Sequence, residues 1–176
     1  METDLRYPIG TYEPQPFSES KKEEWLATIK FLPQALEHAI ANLDEYQLQT
    51  PYRDGGWTVH QVVHHVADSH MNAYIRFKLG ATEDTPTIKT YNEKAWAQTA
   101  DVQHLPVNIS ITLLYSLHQR WYEFLKSLEE NDWQKKVYHP EHQKEISLWF
   151  LLGLYDWHSR HHTAHINSLR ERMGWS

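Results

Sequence analysis

Apolar positions recur at helical spacing in four stretches of the chain. Between Ser20 and Asn42, residues Trp25, Ile29, Leu32, Leu36 and Ile40 form one stripe. Pro33 lies inside this stripe and is expected to kink or divide the helix, because proline lacks an N–H. Thr58 followed by Gln61 has capping-box spacing and opens a second helix running to about Leu79, with Val59, Val62, Val63, Val66 and Phe77 on its core face. A third helix is expected from about Ile109 to Leu128, carrying Leu113, Leu114, Leu117, Trp121 and Leu125. The last spans about Ser147 to Met173, with Gly174 as its stop. Residues 80–107 are irregular, broken by Gly80, Pro86 and Pro106, with a short helix around Asn92 to Gln98. A connection of this length inside a compact domain is commonly functional, a lid for example. A small hairpin is expected within 131–146, and residues 1–18, with Pro8, Pro14, Pro16 and Gly10, read as an extended arm. Tyr7, Ile9, Tyr12 and Phe17 give that arm apolar anchors for docking. The sum is a single all-α domain over 1–176, a four-helix bundle with one long connection.

Composition narrows the function. With 176 residues, 40% of them apolar, the chain can bury a substantial core. A formal charge of −6, with no basic run, argues against nucleic acid as a partner. No stretch approaches the roughly 20 apolar residues of a membrane span. Glu2 and Asp4 stand where a signal peptide wants positive charge, so the expected location is cytoplasmic. The chain has no cysteine, which rules out disulfides, thiolate ligands and a cysteine nucleophile. Any metal must rest on His, Asp or Glu.

Histidine is where the pattern becomes chemical. Of thirteen, four lie at His60, His64, His65 and His70, and four at His158, His161, His162 and His165. On a helical wheel, His158, His162 and His165 share the apolar side of the last helix with Leu151, Leu154, Tyr155, Ile166 and Leu169, and His161 lies at its edge. Buried imidazoles need partners for their nitrogens. A pair four residues apart stacks one turn above the other and can chelate a single ion. On the second helix the wheel does not decide: His70 sits on the core face, and His65 on a stripe beside it with Gln61, Ser69, Asn72 and Arg76. His38, His104, His118, His139 and His142 read as surface or ordinary packing residues.

Pro51–Tyr52–Arg53–Asp54–Gly55–Gly56–Trp57–Thr58–Val59 and the following Gln61–Val62–Val63–His64–His65–Val66–Ala67–Asp68–Ser69–His70 closely resemble the YfiT-like branch of the DinB superfamily. So do Leu152–Gly153–Leu154–Tyr155, Trp157–His158–Ser159, His161–His162 and Ala164–His165–Ile166, together with the opening Tyr7–Pro8–Ile9–Gly10 and the closing Met173–Gly174–Trp175–Ser176. The resemblance implies an up-and-down four-helix bundle, often dimeric, with one divalent metal per chain on three histidines, zinc or nickel being expected. It maps the ligands to His65, His158 and His162, with His64, His70, His161 and His165 around them.

The resemblance further implies a metal-dependent hydrolase acting on a small molecule. Its alternative is a transferase that conjugates a low-molecular-weight thiol, such as bacillithiol, to an electrophile; a non-catalytic metal-binding bundle is the third reading. Three imidazoles leave a coordination position open, as a catalytic site requires. Asp68, His70 and His165 are candidates for proton transfer, and Arg53 and Arg76 for holding a substrate carboxylate.

Overall fold

A computed structural model describes residues 4–176 of the protein. Its four long helices are α1 (Glu19–Ile40), α3 (Val59–Thr82), α6 (Val107–Lys126) and α7 (Leu148–Met173). Short helices α2 (Glu45–Leu48), α4 (Glu93–Trp96) and α5 (Ala100–His104) lie in the connections. A 3-10 turn (Glu130–Gln134) precedes the hairpin of β1 (Lys136–His139) and β2 (Lys144–Ser147), in which Val137 faces Ile146 across an antiparallel register.

Local chemistry sets the helix ends. Thr58 and Gln61 form the expected capping box at the start of α3. Ser147 caps α7 by accepting from the Phe150 amide, and Gly174 ends it in the left-handed conformation, φ 66°. One expectation is corrected: Pro33 does not divide the first helix, which runs unbroken from Glu19 to Ile40. Packing of the flanking stripe, with Ile29, Leu32 and Leu36 all buried, holds the helix together across the missing hydrogen bond.

Helix α1 packs against α6 and α7, and α3 packs against the same two. The consecutive long helices α1 and α3 therefore face each other across the bundle's diagonal. The arm lies along α7: Trp149 donates its indole N–H to the Gln15 carbonyl (2.7 Å), and Trp157 to that of Gly10 (3.0 Å). Gly153 lets it approach, since a Cβ there would meet the Trp25 ring at 2.7 Å and the Tyr12 hydroxyl.

The core is split. One apolar cluster is aromatic, built on Trp25, Phe77, Trp121, Trp133 and Tyr155. The other is aliphatic, built on Leu32, Val62, Val66, Leu114 and Ile166. On α3, α6 and α7 the residues between the two clusters include His70, His118, His158 and His162, all buried or nearly so. A polar layer of imidazoles thus crosses the bundle between two apolar halves. No helix among the described residues is long and apolar enough to cross a membrane.

Candidate metal centre and adjoining cleft

His65 comes from α3, and His158 and His162 from successive turns of α7, which packs against α3. One ligand atom from each of the three lies within 4.8 Å of the others. His65 Nε2 and His158 Nε2 are 3.3 Å apart. Two nitrogens held about 2.0–2.1 Å from one ion at the tetrahedral angle stand about 3.3–3.4 Å apart, so the observed separation is an edge of such a site. The donor set fits a divalent transition ion: neutral imidazoles, with no carboxylate or thiolate in the group.

Burial keeps these rings uncharged. It lowers the pKa of His65 to about 4. His158 and His162 are pushed well below the ordinary value of 6.5 by burial first and by neighbouring imidazoles second. Neutral rings are the form that binds metal.

Behind His158 lies a continuous hydrogen-bonded chain. His158 Nδ1 is 3.0 Å from His70 Nε2, His70 Nδ1 is 2.8 Å from His118 Nε2, and His118 Nδ1 reaches the Ile29 carbonyl. His162 is different: among the described residues its buried Nδ1 has no partner, and neither have Nδ1 of His161 and His165. His165 donates through Nε2 to the Arg6 carbonyl of the arm (3.2 Å) and stacks on Tyr52, ring centroids 3.9 Å apart. His64 is engaged elsewhere, by the Ser110 hydroxyl (2.7 Å) and the Leu105 carbonyl (3.1 Å).

A cleft of about 230 Å³ opens beside His158 and is lined by Ser69, Arg76, Tyr91, Glu93 and Tyr155 among others. Arg76 donates to the Tyr155 hydroxyl (3.2 Å) and to the Lys89 carbonyl (2.9 Å). Among the described residues, its Nε and the Tyr91 hydroxyl are buried with no hydrogen-bond partner. Glu93 is exposed at the cleft's rim, yet partial desolvation of its carboxyl raises its pKa, and Arg76 opposes the rise.

Of the residues singled out from the sequence, His65, His158 and His162 converge, His70 stands directly behind His158, and Arg76 lines the cleft. Arg53, Asp68 and His165 are not among the cleft's lining residues. Arg53 lies over the Tyr52 ring. Asp68 is half-buried on α3, its pKa raised to about 6 by burial and then by Asp101. Three participants escaped the sequence reading. Tyr91 and Glu93 sit in the irregular connection, where no periodicity marks them. His118, read as a surface or packing residue, is buried in the imidazole chain; its place on the stripe of Leu114, Trp121 and Leu125 was the available signal.

Residues 28–166 match the DinB superfamily. The chain belongs to that superfamily. Its DinB relatives include proteins of Bacillus cereus and Bacillus anthracis, 56% and 55% identical over 174 residues, 98% of this chain and 99% of each relative. Each carries the name "Putative metal-dependent hydrolase". Among solved DinB-like structures, YfiT from Bacillus subtilis superposes with a TM-score of 0.95 at 49% identity, over 98% of this chain and 99% of that one. YfiT is described as a probable metal-dependent hydrolase with an unusual four-helix bundle topology.

Proposed function

We propose that this protein is a metal-dependent hydrolase of a small, carboxylate-bearing substrate, with one zinc or nickel ion on His65, His158 and His162. The observation that carries the reading is the 3.3 Å edge between two neutral imidazole nitrogens, beside a cleft that holds unpartnered hydrogen-bond donors. The names of the relatives support it.

When bound, such an ion with an open position supplies a Lewis acid that brings the pKa of water to about 7 and polarises a substrate oxygen. The chain's own groups supply the rest. Arg76 Nε and the Tyr91 hydroxyl bind and orient the substrate carboxylate, since both are donors without a partner of their own. Glu93, an exposed residue whose carboxyl is partly desolvated where it lines the same cleft, accepts a proton from attacking water, then returns it to the leaving group. His70 does not serve in this step because both its ring nitrogens are engaged.

Elemental analysis of the protein beside His65→Ala and the double variant His158→Ala/His162→Ala tests the centre. About one equivalent of zinc or nickel, lost in both variants with the helical circular dichroism intact, is expected. No metal in the wild type, and none taken up on titration, would overturn the reading. A panel of carboxylate-bearing esters and amides then tests the chemistry: Glu93→Gln should lower kcat by about 10²–10⁴, and Arg76→Gln should raise KM. A loaded protein that leaves every such bond intact but consumes a small thiol together with an electrophile would replace hydrolysis by thiol transfer.

A further inference from the structure

Ile29 stands four residues before Pro33 in an unbroken helix. In an α-helix the carbonyl of residue i accepts from the amide of residue i+4. Proline has no amide hydrogen, so the Ile29 carbonyl loses its helical donor, and the proline ring crowds it outward. His118 Nδ1 of α6 takes the vacated place.

A carbonyl oxygen can only accept, and this fixes every proton that follows. His118 must carry its hydrogen on Nδ1, which leaves Nε2 bare. His70 Nδ1, 2.8 Å away, must then donate, which leaves His70 Nε2 bare. His158 Nδ1, 3.0 Å from it, must donate in turn, which leaves His158 Nε2 bare. His70 is fully inaccessible, His118 is 1% exposed and His158 is partly buried, and neutral imidazoles carry one N–H each. The bare nitrogen at the end of the chain is the atom that faces His65 Nε2 at 3.3 Å.

We infer that His118, with His70, is a positioning residue for the metal centre: the proline-freed Ile29 carbonyl sets, through two imidazoles, the tautomer that presents the lone pair of His158 Nε2 to the ion. The inference rests on the metal-centre reading for its purpose, but the tautomers belong to the metal-free protein and are measurable there.

The experiment uses the full-length protein with ¹⁵N-labelled histidine. Long-range proton–nitrogen correlation spectra of the metal-free wild type should show His158, His70 and His118 each protonated on Nδ1 and bare on Nε2. Zinc affinity is then compared for His118→Leu, which abolishes both functions of the ring, and His118→Gln, whose amide keeps one donor for Ile29 and one acceptor for His70. His118→Leu should weaken zinc binding by about 10–100-fold, as loss of a ligand's supporting partner does. His118→Gln should stay within about threefold of wild type, and its His158 spectrum should be unchanged. A wild-type His158 protonated on Nε2 would overturn the inference even if neither variant folds. So would equal weakening by Gln and Leu, or none by Leu. If the wild type shows the expected tautomers yet takes up no zinc, the metal-centre reading and the purpose assigned to the chain fail while the tautomer chain stands.

Discussion

His158 and His162 leave the same helix one turn apart, yet the regions behind them are built differently. Behind His158 the bundle is sealed: two further imidazoles and a main-chain carbonyl fill every hydrogen-bonding position in sequence. Behind His162 three Nδ1 atoms lie buried and, among the described residues, unpartnered, under an arm whose Arg6 carbonyl accepts from His165. The inner region fixes a proton and a ring angle before any ion arrives. The outer region leaves its ring free to adjust. A site with one rigid and one yielding ligand on one helix can meet an ion's preferred geometry without strain on both.

The largest way to break this contrast is His70→Leu. It orphans the Nδ1 hydrogen of His158 and the Nε2 lone pair of His118, each at a cost of about 1–3 kcal/mol. Chemical unfolding of the metal-free protein should register the sum, and zinc affinity should fall about 10–100-fold. The matched outer substitution, His165→Phe, keeps the stack on Tyr52 and should change affinity less than about threefold, given the absence of a partnered nitrogen between His165 and His162. Equal effects from the two substitutions would dissolve the contrast.

Acid sharpens it next. Burial holds the His118 imidazole down to about 4 in the folded protein, against 6.5 ordinarily, despite the opposing pull of the Ile29 carbonyl. Between these values the unfolded chain binds the proton and the folded one does not, so stability falls as pH drops. A shift of this size amounts to about 3 kcal/mol for one group once pH 4 is reached. Urea midpoints of the metal-free protein at pH 7, 5.5 and 4.5 should decline steeply, and His118→Gln should flatten the decline by close to one proton's worth. An unchanged slope in that variant would mean that the inner region does not carry the acid sensitivity.

A smaller effect is expected where the arm meets α7. Gly153→Ala would thrust a methyl group at Trp25 and Tyr12 and should cost about 1–3 kcal/mol by overpacking. Thermal melts read the loss. Protection of the Trp157 indole hydrogen, which Gly10 accepts, reads whether the arm has lifted.

How much of this was legible in the sequence follows from what periodicity reports. It reports burial along a helix, so the four long helices and the inward pair on α7 could be read, and the cap at Thr58 followed from the spacing to Gln61. It does not report partners. His65 and His70 are both buried, 5% and 0% exposed, yet one faces His158 Nε2 and the other stands behind it at Nδ1. A wheel cannot separate these positions, and only the family resemblance pointed to His65. His118 looked like packing because its stripe is otherwise apolar. Tyr91 and Glu93 reach the cleft only through the tertiary course of 80–107, which has no period to read.

The smallest predicted effect leads to the widest consequence. Pro33→Ala would restore an amide hydrogen aimed at the Ile29 carbonyl, and a helix interior ordinarily gains from losing a proline. That hydrogen would compete with His118 for the same oxygen, although a carbonyl has two lone pairs to offer. Melting temperature should hold or rise while zinc affinity slips by less than about threefold. A stability screen would therefore score the substitution as an improvement, and only a metal titration would expose what it removed. Engineers who smooth the helices of such bundles by deleting prolines would be editing the electronic state of a ligand on another helix, through an atom that appears in no list of active-site residues.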